Sequence, residues 1–247
     1  MLALRSGLRR ALARRALAPQ MCSSFATGHK QKDGAFYEFC TCYLKPSKME
    51  EFVQNFKNNV HLRTAYSELV GYWIVEFGGR INTVFHIWKY DDFAHRTEVY
   101  KALANDKEWQ KRFLNPNLNF INKQESEIAY LLPWSKLEMP PKEGFYELST
   151  FLMKPGGPAL WGGAFERAIN AHANLGYNKV IGVFHTEYGV LNKVHVLWWN
   201  ESADSRAAGR HLSHEDPRVV AAVRESINYL NIQQTMFLIP LSFSPLK

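Results

Sequence analysis

Tyr37-Glu38-Phe39-Cys40-Thr41-Cys42-Tyr43-Leu44-Lys45-Pro46 returns 109 residues later as Tyr146-Glu147-Leu148-Ser149-Thr150-Phe151-Leu152-Met153-Lys154-Pro155, with five of the ten positions identical. The match continues outward. His61, Tyr66, Gly71, Glu76 and Gly78 meet His172, Tyr177, Gly182, Glu187 and Gly189 at an offset of 111, and Asn82, Val84, Trp88 and Arg96 meet Asn192, Val194, Trp198 and Arg206 at 110. So small a drift needs only short indels, which loops tolerate. The period is too long for a solenoid unit and fits a small domain. The chain therefore reads as two copies of one module, at 33–133 and 144–247. Between them lies a linker at 134–143 containing Pro140-Pro141.

Each copy has the same order of elements. In the first, Phe36 to Leu44 is an aromatic-rich strand, and Ser47-Lys48-Met49-Glu50 has the form of a capping box. Met49, Phe52, Val53, Phe56 and Val60 then fall on one helical face. Leu69 to Phe77 and Thr83 to Tyr90 form a hairpin around Gly78-Gly79, Phe93 to Ala104 and Lys107 to Phe113 are helical, and Ile128 to Leu132 is the last strand. The second copy runs from the strand Glu147 to Met153 through a helix carrying Trp161, Phe165 and Ile169, the hairpin Val180 to Trp199 and the helix Pro217 to Leu230, to the strand Met236 to Ile239. This order predicts the α+β class: a tandem pair of ferredoxin-like modules, each a sheet with helices on one face, packed sheet to sheet around a barrel-like core.

Composition narrows the function classes. The formal charge is +7, yet residues 1–32 hold seven Lys and Arg and no acid, which leaves 23 basic and 23 acidic residues in 33–247. A neutral body argues against nucleic acid as a partner. The Arg-rich, Ser-bearing, acid-free leader has the features of a mitochondrial transit peptide. It predicts the mitochondrion, in the matrix, with the cytosol as the alternative. Of three Cys, Cys22 lies in the leader, and Cys40 and Cys42 share one strand face where they are poorly placed to bridge each other. No apolar run reaches the ~20 residues of a membrane span.

Four carboxylates on otherwise apolar strands are candidate site residues: Glu38 and Glu147 mid-strand, Glu76 and Glu187 near hairpin ends. Lining the space between the sheets, they would supply acid–base pairs; otherwise each pairs with a nearby Lys or Arg or faces solvent. His86 and His195 fall on opposite strand faces, which a duplicated metal or haem site would not do, and no Cys or Asp cluster completes a zinc-like set around His211 and His214. No cofactor is predicted. Trp198 and Trp199 are adjacent in a strand, so one points away from the core side, and Trp199 is a candidate partner surface together with Arg206 and Arg210 at i, i+4. No Walker loop, GxGxxG, GxSxG, HExxH or CxxC is present, and no catalytic residue is predicted.

Glu187-Tyr188-Gly189-Val190-Leu191-Asn192-Lys193-Val194-His195-Val196-Leu197-Trp198-Trp199, followed by Asp204, Arg206 and Arg210, resembles the signature stretch of the NipSnap family. Lys45-Pro46, Phe77-Gly78-Gly79, Phe85 to Tyr90 and the leader look like the same family, in its shorter vertebrate branch. The resemblance implies tandem modules of the dimeric α+β barrel type. It also implies a non-enzymatic protein-interaction role in mitochondrial homeostasis, mitophagy adaptor recruitment or vesicular transport, with autophagy or trafficking proteins as partners and self-association possible. The competing expectation is a small-ligand, haem-binding or monooxygenase-like barrel protein. A closed apolar cavity near Glu38, Glu76 or a His would favour it.

Overall fold

Residues 34–247 are described by a computed structural model; the leader at 1–32, with Cys22, lies outside them. In the first half, β1 (Phe36–Leu44) passes through a 3-10 turn (Pro46–Lys48) into α1 (Met49–Thr64), and β2 (Glu68–Phe77) and β3 (Thr83–Tyr90) form a hairpin. Helix α2 (Phe93–Asn105) continues as α3 (Lys107–Trp109), a π-helical turn (Gln110–Leu114) and α4 (Asn115–Leu118) before β4 (Ile121–Leu131). The second half contains β5 (Phe145–Met153), α5 (Gly157–Ala173), the hairpin β6 (Lys179–Tyr188) and β7 (Lys193–Asn200), α6 (Ala203–Ser213), α7 (Pro217–Ser226) and β8 (Leu230–Pro240).

The eight strands close into one antiparallel barrel in the order β1-β3-β2-β8-β5-β7-β6-β4. The expected face-to-face sheets are therefore also joined edge to edge. At one seam Trp73 lies opposite Pro240 and Val75 opposite Leu238; at the other, Ala129 lies opposite Thr186 and Leu131 opposite Phe184. Backbone groups that an open sheet would leave unpaired find partners across these seams. Strand alternation sends Tyr37, Phe39, Trp73, Phe85, Phe184 and Leu197 into the barrel. Cys42, Val84 and Trp88 face outward against α1 to α4, and Phe151, Val194 and Trp198 face outward in the second half.

Several repeated residues now have physical reasons. Asn82 and Asn192 adopt φ of 57° and 61°, and their carbonyls accept from Leu44 N (2.8 Å) and Met153 N (2.9 Å), closing the ends of β1 and β5. Gly71 and Gly182 sit at matching bulges, where a Cβ would stand 2.0 Å from the Trp73 ring and 2.8 Å from the Phe184 ring.

The structure departs from the expected elements in four places. Ser47 does not cap α1: Pro46 opens a 3-10 turn that holds Ser47 inside it, and the N-cap residue is Lys48, without a side-chain cap bond. Strands β4 and β8 begin seven and six residues earlier than the apolar pattern implied, because Asn122 to Glu127 and Asn231 to Thr235 are held by pairing with β1 and β5 rather than by burial. Helix α7 stops at Ser226. The segment 134–143 does not hang free: Glu138 N bonds Ile181 O (2.8 Å), and Ser135 Oγ accepts from Val183 N (2.9 Å). The C-terminal tail repeats this device on the other half, with Leu241 N on Tyr72 O (3.0 Å) and Ser244 Oγ accepting from Tyr72 N (2.9 Å). Each half is thus strapped by the tail of the other, and Trp134 and Phe243 each pack against the opposite half's outer core.

Residues 33–143 expressed alone would lose both seams and the Leu241–Ser244 strap. Sedimentation should find this fragment dimeric or aggregated; a folded, soluble monomer would contradict the account.

Candidate functional site

On the outer face of the first half, β1 presents Glu38, Cys40 and Cys42 at alternate positions, β2 presents Tyr72, and β3 presents His86 and Trp88. Facing them are Phe52, Phe56 and Arg63 of α1, Tyr100 and Leu103 of α2, and Trp109 and Phe113 beyond. Together they line a partly open cavity of about 410 Å³ with a mainly aromatic wall.

One end is polar. Glu38, 1% exposed, receives Arg96 Nη2 at 2.6 Å and Nε at 3.2 Å, and Ser126 Oγ at 2.7 Å. Burial alone would raise its pKa, but Arg96 and Ser126 outweigh burial and hold it below the usual carboxylate range. Arg63 is 5% exposed; Nη2 donates to Tyr90 OH at 2.6 Å and the guanidinium lies over the Trp88 ring at 4.6 Å. Its Nη1 has no acceptor among the described residues.

The middle of the cavity is neutral. His86 stacks on Tyr72 (ring centroids 4.6 Å, 10°), and its Nδ1 accepts from Trp88 Nε1 at 2.8 Å. Burial, reinforced by the charge of Arg63, presses its pKa down to about 3, so the neutral imidazole carries its proton on Nε2, 3.9 Å from Cys42 Sγ. Burial raises both Cys40 and Cys42 and keeps the thiols protonated, which makes them poor nucleophiles. This arrangement can shelter an apolar body and offer it hydrogen-bond donors; it presents no activated nucleophile.

The second half repeats the ion pair and changes the cavity. Glu147 is bound by Arg206 Nη2 at 2.7 Å and Nε at 2.8 Å. In the sheet register Ser149 stands for Cys40, Phe151 for Cys42 and Val196 for His86, and the remaining space is about 150 Å³. Glu38 and Glu147 therefore belong to two separate sites between sheet and helices, whereas Glu76 and Glu187 are exposed at the hairpin ends and line neither cavity. The space between the sheets is filled by apolar core instead.

Trp199 requires a correction. It is 7% exposed and packs inside the barrel, while Trp198 packs under the helices. In a closed barrel both faces of a strand are covered, so neither of two adjacent Trp need reach a surface. Arg206 is held by Glu147, and Arg210 lines the smaller cavity with His172, Tyr177 and His214. His61, which recurs with His172 in sequence, is exposed. Among the described residues no group of three or more His, Cys, Asp or Glu is arranged to hold a metal ion.

Sequence reasoning missed two residues. Arg63 extends the apolar stripe Phe52, Phe56, Val60 by one turn, so its helical spacing announced a buried cation. Glu127 crosses between the halves: its carboxylate is met by Lys193 and Thr186, and by His195 Nε2 at 2.6 Å, while His195 Nδ1 accepts from Thr150 Oγ1 at 2.9 Å. Burial would raise the Glu127 pKa, but the His195, Lys193 and Thr186 donors bring it down to about 2.

A carboxylate held below its unfolded pKa stabilises the fold above that value and loses its effect as pH falls through its folded pKa. Glu127→Gln should therefore cost on the order of 2 kcal/mol at pH 7, with the gap to the parent closing between about pH 5 and pH 2. Thermal midpoints across that range measure it; a gap that stays constant would refute the assignment.

Comparison with known proteins comes to the same two copies. The NIPSNAP family model matches residues 37–136 and 146–245. The chain is 78% identical over 247 residues to Protein NipSnap homolog 3A of Homo sapiens, covering all of both chains, and 76% identical to Protein NipSnap homolog 3B of Homo sapiens over the same span. Protein NipSnap of Drosophila melanogaster is 25% identical over 85% of this chain and 78% of its own length. Among solved structures, a putative monooxygenase from Fusobacterium nucleatum superposes with a TM-score of 0.61 at 11% identity over 84% of this chain and 93% of its own. A putative monooxygenase from Lactobacillus acidophilus gives 0.59 at 10% identity over 83% and 93%. At that identity the likeness concerns the barrel fold alone.

Proposed function

We propose, for a chain that belongs to the NIPSNAP family, that its first half holds a small, largely apolar molecule between sheet and helices and does so without converting it. The observation that carries this reading is the cavity of about 410 Å³. Its volume falls within the range of small-molecule sites, and its wall combines aromatic rings with a few placed donors, as such sites do. We read each half as a ferredoxin-like module of the dimeric α+β barrel type in which only the first copy keeps this space open. The protonated thiols, the neutral His86 and the closed Glu38–Arg96 pair favour retention over turnover. They also disfavour haem, because His86 Nδ1 is taken by Trp88 and Nε2 bears the proton, so no imidazole lone pair is offered to iron.

The test fills the cavity with the residue that the second half uses. Cys42→Phe copies Phe151, and the fold tolerates that side chain in the sister module. The full-length protein titrated with 2-naphthol should show saturable quenching of Trp fluorescence, weakened at least about tenfold in Cys42→Phe with the thermal midpoint retained. Equal binding by the two proteins would end the proposal.

A second reading is a docking module for proteins of mitochondrial quality control, mitophagy or vesicular transport. It draws on the hairpin tips, where Phe77 and Ile81 in one half and Tyr188, Val190 and Leu191 in the other are exposed. The basic leader supports work in the mitochondrion. A fluorescent fusion of the full chain should concentrate there, and the same fusion lacking residues 1–32 should spread through the cytosol; identical distributions would end the targeting claim.

A further inference from the structure

We propose that the second half carries a separate site for a small organic carboxylate, centred on Arg210. Helix α6 places Arg206 and Arg210 one turn apart above the outer face of β5, where they line the cavity of about 150 Å³ together with His172 and His214. The two arginines differ in what they already hold. Arg206 closes a two-bond pair with Glu147, and both carboxylate oxygens of Glu147 are used in it. Arg210 has no acceptor for its guanidinium among the described residues. Asp216, an acid that acts on this cluster, is taken by two bonds from Arg218, at 2.7 and 3.1 Å.

The first half shows what a saturated version of this place looks like. Four residues after its paired Arg96 stands Tyr100, whose hydroxyl lies 3.4 Å from Glu38 and whose ring carries the Arg96 guanidinium at 4.2 Å. The second copy puts Arg210 at that position and adds no acid against it. His172 makes the excess visible. After burial, its pKa is lowered chiefly by the charges of Arg210 and His214. One of its nitrogens is engaged by Tyr177 OH at 2.8 Å. Asp216 offsets part of this from a distance, and an anion placed between Arg210 and these imidazoles would relieve the rest.

The body of the ligand follows from the floor, which is Phe151, Trp161, Phe165 and Trp198. A volume of about 150 Å³ accepts about five water-sized groups. A short alkyl chain bearing one carboxylate satisfies both ends; a bare phosphate would satisfy only the guanidinium.

Calorimetric titration of the full-length protein with hexanoate and with inorganic phosphate tests this. Cys42→Phe serves as the parent, so that the first cavity is blocked and its success or failure is read separately. We expect one saturable hexanoate site. Arg210→Gln should weaken it at least about tenfold while the thermal midpoint holds, since Arg210 has no protein partner to lose. Arg210→Lys should keep most of the affinity. Absence of hexanoate binding in the parent, unchanged affinity in Arg210→Gln, or phosphate binding as tightly as hexanoate would each overturn the assignment.

Discussion

The constraint on which the structure depends is that a four-stranded sheet with one apolar face and two free edges cannot stand in water. The face must be dried and the edge amides must be paired. This chain meets both needs with a second copy of itself. The inner faces meet in a core of Tyr37, Phe39, Trp73, Phe184 and Leu197, and β2 on β8 and β4 on β6 close the edges. The tails complete the exchange, because Ser135 and Ser244 each occupy backbone donors of the opposite half. Neither half holds a complete set of backbone partners by itself, which is why the duplication has to stay within one cooperative unit.

With the inner faces committed to the barrel, the outer faces are what can vary. Both copies retain the same fastening there, a strand carboxylate gripped by the Arg that follows the hairpin, Glu38 by Arg96 and Glu147 by Arg206. A buried charge pair fixes geometry more than it adds stability. Here it anchors the covering helix over the sheet in both halves. Around that fixed point the residues diverge. Cys42 leaves space in one copy, whereas Phe151 fills it in the other, and Ser149 and Val196 stand for Cys40 and His86. Where the first copy has Tyr100, the second carries Arg210.

Much of this was legible in the chain because duplication converts a fold problem into a comparison. Residues shared at a constant offset mark demanding backbone positions: a Cβ at Gly71 or Gly182 would strike a ring, and Asn82 and Asn192 take up positive φ. Periodicity was blind where pairing rather than burial makes the strand, as from Asn122 to Glu127. It was blind also to the direction of a strand's outer face: the sequence left Glu38 either between the sheets or paired with a nearby Lys or Arg, and it pairs with Arg96 of α2, whereas Trp199, expected at a surface, faces the barrel. The straps carried a faint sign, since Leu132 and Ser135 recur as Leu241 and Ser244. Short polar segments of this kind give no amphipathic signal, and their role exists only across the two halves.

The unequal cavities also bear on energy. A cavity of about 410 Å³ leaves its aromatic lining without packing partners, which costs the fold dispersion contacts. The sister module shows that the same scaffold can accept a Phe at the position of Cys42, so the space is not forced by the backbone. Water wets such a cavity only where it finds two or more polar partners, which here means the rim of Gln124, Glu125 and Ser126 and the Arg63 end, not the wall of Phe52, Phe56 and Phe113. An apolar occupant satisfies the wall of Phe52, Phe56 and Phe113 without asking more polar partners of it. That is the arrangement a binding protein would keep and a purely structural module would fill.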